Sequence, residues 1–187
     1  MSSSDEDLAA LLDDLGREFD GFRIIDKRDD GLSHLIDRAL RLITLGGQDR
    51  YLTHYHTVIG DRLYDPDGWA RTPATQKIIT LRHERVHLRQ RRRYTLPGLA
   101  FLYLVFPFPL GLAYGRARLE WEAYRETLRA TYELEGGAAL LDPSLRERIV
   151  SQFTGPAYGW MWPFRAQVER WYDEAVDELL SSRPAGA

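Results

Sequence analysis

The stretch LRHERVHL, residues 81–88, contains the pattern H-E-x-x-H, and the other predictions for this chain follow from it. Residues four apart lie one turn apart on the same face of a helix, so the imidazoles of His83 and His87 point to one place. Two such imidazoles can supply two nitrogen ligands to a single Zn²⁺ ion. Glu84 lies beside the same place, where its carboxylate can take a proton from a water at the metal.

The residues around the motif favour a long helix. Thr72 and Pro73 are typical of an N-cap followed by the first helical residue, and residues 74–93 contain neither Gly nor Pro. We therefore expect the motif in the middle of a helix, where its side chains share a face. The competing interpretation is an accidental match, which arises in roughly one in two hundred chains of this length.

The composition is that of an ordinary globular protein. The chain has 187 residues, of which 44% are hydrophobic and 28% charged, which is enough for one domain with a sizeable core. It contains no cysteine, so only histidines and carboxylates are left to bind a metal. The net charge of -3 argues against nucleic acid as a partner. Residues 1–7 do not resemble a signal peptide, and we expect a cytoplasmic protein.

Helices and short strands are expected before the motif. Apolar spacing predicts an amphipathic helix over 8–19 and a second helix from Ser33 to a Gly pair at 46–47. Residues 22–25 are a candidate strand, and the β-branched and aromatic residues of 51–64 predict a hairpin or a pair of short strands.

Two further histidines lie in the predicted hairpin. His54 and His56 share one strand face and are an alternative metal pair, although a solvated strand face is the simpler interpretation.

Three helices are expected in the second half of the chain. They cover 116–135, 143–152 and 164–180, and an aromatic-rich loop precedes the last of them. Asp142 and Pro143 are typical of the start of the middle helix.

The first of these helices offers a third metal ligand. A catalytic zinc uses three protein ligands and an open position for water. Glu120 and Glu122 lie about 200° apart around a helix, so at most one faces the motif helix. Glu122 shares its face with four charged residues, Arg118, Arg125, Glu126 and Arg129. Glu120 has Ala117 and Ala123 one turn away, and small neighbours let another helix come close. We expect Glu120 to be the ligand; an exposed glutamate without a metal is the alternative.

Residues 94–115 carry no charge and are long enough to cross a membrane. Pro107 and Pro109 interrupt any helix there, and a span would separate His87 from Glu120 by an apolar layer about 30 Å thick. We therefore expect a buried helix and turn. A hairpin resting on a membrane surface is the second alternative.

The two motifs resemble the gluzincin class of zinc metallopeptidases. His83-Glu84-x-x-His87 followed by Glu120-x-x-Ala123 is similar to the H-E-x-x-H and E-x-x-A pair of that class. The order of elements over about 51–132 looks like that of small uncharacterised bacterial metallopeptidase-like domains. Tyr124 stands where an Asp often follows E-x-x-A, and clear membrane spans are lacking, which leaves the subfamily and the substrate open.

The resemblance implies a hydrolase that cleaves a peptide or protein substrate. One Zn²⁺ per chain would be held by His83, His87 and Glu120, with Glu84 as general base. A donor to the oxyanion is also needed; Tyr158 is one candidate from the sequence, although packing in the core is the simpler role for its aromatic loop. Two other functions fit the sequence. One is a non-catalytic or inactive metal-binding protein of the same fold, and the other is a protein that contacts a membrane surface through residues 82–115.

The expected fold is α+β and mostly helical, with a short β-hairpin or small sheet preceding an H-E-x-x-H helix packed against an E-x-x-A helix. We expect a single domain over residues 1–187. Its metallopeptidase-like core covers about 51–132, with N-terminal helices within 5–46 and C-terminal helices within 143–180.

Overall fold

The computed structural model shows a chain that is mostly helical, as predicted. It describes residues 3–26, 57–59, 62–65, 69–104, 114–155 and 161–182, and side chains only in part of these. Contacts divide the chain into two compact units, Met1–Leu88 and Arg89–Ala187, and each unit is treated by itself.

The first unit contains a helix, three short strands and the start of the motif helix. Helix α1 is Ser3–Glu18, and the strands are β1 (Arg23–Asp26), β2 (Thr57–Ile59) and β3 (Arg62–Asp65). The strand order is β1-β3-β2, with β1 parallel and β2 antiparallel to β3. A short 3-10 turn at Trp69–Arg71 precedes the motif helix.

The core of the first unit joins α1, the sheet and the motif helix. The five buried residues of this cluster are Leu15, Phe19, Leu63, Leu81 and Leu88. The predicted apolar side of α1 contributes two of them, and its other members pack against the cluster while partly buried. Each fully buried side chain of this kind stabilises the fold by about 1.5–3 kcal/mol.

Helix α2, the motif helix, is Ala74–Leu104. It begins one residue later than predicted, because the amide of Lys77 donates to the carbonyl of Pro73 at 3.0 Å. The helix continues through Pro97, well past the charged residues. None of the described helices has both the length and the apolarity needed to cross a membrane. The side chains of 95–104 and residues 105–113 lie outside the description, so the choice between buried core and membrane contact stays a prediction.

The second unit is helical throughout its described part. After α2 it contains α3 (Tyr114–Glu135), α4 (Gly137–Leu140), α5 (Pro143–Thr154) and α6 (Arg165–Ser181). The bounds of α3, α5 and α6 differ from the predicted ones by at most two residues, so these three helices are confirmed.

Local sequence explains the ends of these helices. The carboxylate of Asp142 accepts from the amide of Ser144 at 2.8 Å and caps α5, as predicted. Gly136 has a φ of 86°, a conformation that favours glycine and lets the chain leave α3 and enter α4.

An aromatic core holds α3, α5 and α6 together. Trp121 packs its ring against Phe153 at 6.1 Å between centroids and against Trp171 at 5.8 Å. The hydroxyl of Tyr172 donates to the carbonyl of Leu140 at 2.7 Å, which satisfies both buried groups.

Several predictions lie wholly or partly outside the described residues. These are the helix after Ser33, the histidines His54 and His56, and most of the aromatic loop with Tyr158. The α+β class stays a prediction, because the described strands are only three or four residues long. The single-domain prediction and its internal boundaries stay predictions as well.

We expect Tyr172→Phe to lower the free energy of unfolding by about 1–3 kcal/mol, since the buried Leu140 carbonyl loses its donor. Urea unfolding followed by tryptophan fluorescence measures this. Tyr114→Phe is the matched control, because Tyr114 is 47% exposed, and it should change little. Equal stability of Tyr172→Phe and the wild type would contradict this role of the hydroxyl.

The same residue predicts a loss of stability in alkali. Burial raises the pKa of Tyr172 from 10.0 to about 12. As pH rises through this interval the unfolded chain loses the tyrosine proton first, so the contribution of Tyr172 is full below about pH 10 and declines above it. The free energy of unfolding, measured between pH 9 and about 12, should therefore fall less steeply with pH in Tyr172→Phe than in the wild type.

Candidate metal centre

The motif residues lie in the first half of α2. His83 and His87 are half-buried, and Glu84 is 9% exposed. The Nε2 atoms of the two histidines are 3.2 Å apart, and their rings meet edge to face with centroids separated by 5.0 Å. The helix thus directs the same ring nitrogen of both residues toward one place.

This separation fits two ligands of one tetrahedral ion. Nitrogens that are each about 2.0–2.1 Å from Zn²⁺ at a tetrahedral angle lie about 3.3 Å from each other. The observed 3.2 Å is close to that value. A hydrogen bond between a protonated and an unprotonated ring nitrogen has similar length, so the pair alone does not identify a metal site.

Glu120 supplies the third candidate ligand atom. One ligand atom from each of His83, His87 and Glu120 forms a group in which all separations are within 4.8 Å. Among the residues that the structure describes, no second group of three His, Asp or Glu side chains converges in this way.

The surroundings of Glu120 differ from those of Glu122. Glu120 is 6% exposed, and Ala117 and Ala123, one turn to either side, are fully buried. Glu122 is exposed on another face of α3. Burying a carboxylate is costly unless a cation or hydrogen-bond donors compensate its charge. The two imidazoles near Glu120 can compensate its charge by donating hydrogen bonds, or they can bind a cation together with its carboxylate.

Glu84 lies outside the group of three. It follows His83 directly in the helix, but its carboxylate is not among the converging ligand atoms. The role of Glu84 as general base stays a prediction.

Arg85, between the two histidines in the motif, fixes α2 within the first unit. Its Nε donates to the Oε2 atom of Glu18 at 2.6 Å, and its Nη2 atom also contacts that oxygen. Arg85 is about 160–200° around the helix from the histidines. The ion pair therefore holds the helix from a side that leaves the histidine face available.

Gln90 makes the corresponding contact within the second unit. It is 5% exposed, and its Nε2 donates to the carbonyl of Leu119 and to the Oε2 atom of Glu122, both at 2.9 Å. Gln90 was not among the residues predicted from the sequence. The available signal was an amide within a run of arginines, three residues after His87 and on its side of the helix.

Three candidates of the sequence analysis cannot be placed in this geometry. His54, His56 and Tyr158 lie outside the described residues, so the alternative metal pair and the oxyanion donor stay predictions.

Comparison with known proteins found no matching family model, no similar curated protein and no similar solved structure. The resemblance to gluzincins therefore rests on the two motifs and their order in the chain.

We expect the purified chain to bind one Zn²⁺, and His83→Ala or Glu120→Ala to lose it, because each removes one of three ligands. Loss of a residue that merely orients a ligand weakens binding about 10–100-fold, so removal of a ligand should cost more. Elemental analysis and chelator competition measure stoichiometry and affinity.

The matched control for Glu120 is Glu133→Ala, which removes an exposed glutamate from the same helix. It should leave zinc bound. Zinc retained with equal affinity in both His83→Ala and Glu120→Ala would contradict the site.

Proposed function

We propose that this protein is a zinc-dependent metallopeptidase of the gluzincin type, with a small sheet before the motif helix in an α+β fold. The observation that supports the proposal is the approach of three ligand atoms, from His83, His87 and Glu120, to within 4.8 Å of one another. Two of these residues come from one helix and the third from another, which is the arrangement expected from the H-E-x-x-H and E-x-x-A motifs.

The donor set fits zinc. Two imidazole nitrogens and one carboxylate oxygen are ligands that Zn²⁺ accepts, and three protein ligands are typical of a catalytic site. A Zn²⁺ ion at this place would polarise the attacking water and the scissile carbonyl. Glu84 accepts the proton of the water and passes it to the leaving amine.

The small sheet is a candidate surface for the substrate. Strand β2 lies at the end of the strand order β1-β3-β2 among the described strands. An extended peptide can add to such an edge through main-chain hydrogen bonds, with side-chain pockets adding specificity. A peptide or protein is therefore the proposed substrate.

A metal-binding protein without catalytic activity is the second candidate. Such a protein commonly has a closed site with four protein ligands. The group among the described residues has three members, with Glu84 outside it. Three protein ligands are compatible with a coordination position for water.

We expect Glu84→Gln to keep zinc and to lose peptide hydrolysis by about 10²–10⁴-fold, because the amide cannot accept the proton of the water. Mass spectrometry of a peptide library incubated with the zinc-loaded protein measures cleavage. Chelator competition on the same sample shows whether the metal is retained.

Two controls make this experiment decisive. Glu133→Ala should cleave like the wild type, and His83→Ala should lose both metal and cleavage. Unchanged hydrolysis in Glu84→Gln would rule out this residue as the general base. Tight zinc binding by a wild type that cleaves no peptide would favour the non-catalytic alternative.

A further inference from the structure

Gln90 is a buried amide that uses both of its N–H groups on helix α3. One goes to the main-chain carbonyl of Leu119 and the other to the carboxylate of Glu122, each at 2.9 Å. All three residues belong to the second compact unit. The amide therefore holds a main-chain atom and a side chain of α3 at the same time.

The position of Gln90 relates this contact to the candidate ligands. On α2, Gln90 comes three residues after His87 and seven after His83, about 60° and 20° around the helix. On α3, the carbonyl that it binds belongs to the residue immediately before Glu120. The contact thus joins α2, three residues beyond His87, to the residue before Glu120 on α3.

We infer that Gln90 is a positioning residue for the zinc site, and this inference rests on the proposed function. Its two hydrogen bonds fix the rotation of α3 and its position along α2, so that the carboxylate of Glu120 meets the imidazoles. Glu122 contributes to this positioning, because its carboxylate accepts the second hydrogen bond of Gln90.

A metal site between two helices needs a directional contact, because small helix shifts exceed the tolerance of metal–ligand distances. A shift of one residue moves a helix position by about 1.5 Å and turns it by about 100°. Metal–ligand distances tolerate only about 0.2 Å. Apolar packing is non-directional and does not by itself set that precision, whereas two hydrogen bonds from one planar amide have defined directions.

The alternative is that Gln90 only satisfies polar groups in a helix contact. In that case its loss would lower stability and leave the metal geometry unchanged. Metal affinity and the spectrum of a bound metal separate the two explanations, since a purely structural role would not change the ligand field.

The test uses the full chain with Gln90→Met, which keeps the length and approximate volume of the side chain but has no donor. We expect zinc affinity to fall about 10–100-fold. With Co²⁺ as the probe, the visible absorption bands should shift in position or intensity as the carboxylate ligand moves. Arg89→Met, at an exposed neighbouring position, should bind and absorb like the wild type.

A double-mutant cycle shows whether Gln90 acts through Glu120. In the Glu120→Ala background, measured at zinc concentrations high enough to detect the weak binding left by the two histidines, adding Gln90→Met should weaken binding little further, because the ligand that it positions is already gone. Equal losses in the two backgrounds would overturn the inference. If the metal-free Gln90→Met variant does not fold, Glu122→Ala removes one of the two bonds at an exposed residue and should show a smaller loss of the same kind. An unchanged affinity in Glu122→Ala would then overturn the inference.

These outcomes separate this inference from the proposed function. Wild-type zinc affinity and Co²⁺ spectrum in Gln90→Met would overturn the role of Gln90 and leave the zinc site standing. Wild-type affinity in Glu120→Ala would overturn both.

Discussion

The burial of one carboxylate is the constraint on which the candidate site depends. Glu120 is 6% exposed, and a carboxylate removed from water has to be compensated by a cation or by donors. Its neighbours Ala117 and Ala123 are too small to provide either. The imidazoles of His83 and His87 are near enough to contribute to this compensation. The same convergence that offsets the cost of burial also creates a place for a divalent cation.

Helix α2 is suited to such a site because its different sides make different kinds of contact. Leu81 and Leu88 belong to the core of the first unit, and Arg85 forms an ion pair with the last residue of α1. Gln90 binds α3 in the second unit. A helix that is held by packing, by an ion pair and by directed hydrogen bonds can keep two imidazoles in fixed positions. Fixed ligands lower the cost of ordering the site when an ion binds.

Local sequence patterns predicted most of the helices. Helical geometry and the small neighbours of Glu120 favoured it over Glu122 as the candidate third ligand. Asp142 and Pro143 identified the start of α5, because capping depends on neighbours in sequence. A helix was expected in the uncharged stretch, but its continuity with α2 through Pro97 was not predicted, since proline usually ends a helix. The pairing of β1 with β3 and the contact of Gln90 with Leu119 join residues far apart in the chain. No local pattern contains that information.

The histidine pair and the buried glutamate of the candidate site arise from different causes. A chance H-E-x-x-H places two histidines on one helix face, but it imposes nothing on a glutamate in a later helix. Here Glu120 is buried and converges with both imidazoles, while Glu122, two residues further along α3, is exposed. A purely structural role for the pair of histidines accounts for their mutual contact. The buried acid at the same place is accounted for by a bound cation or by donation from an imidazole to the carboxylate.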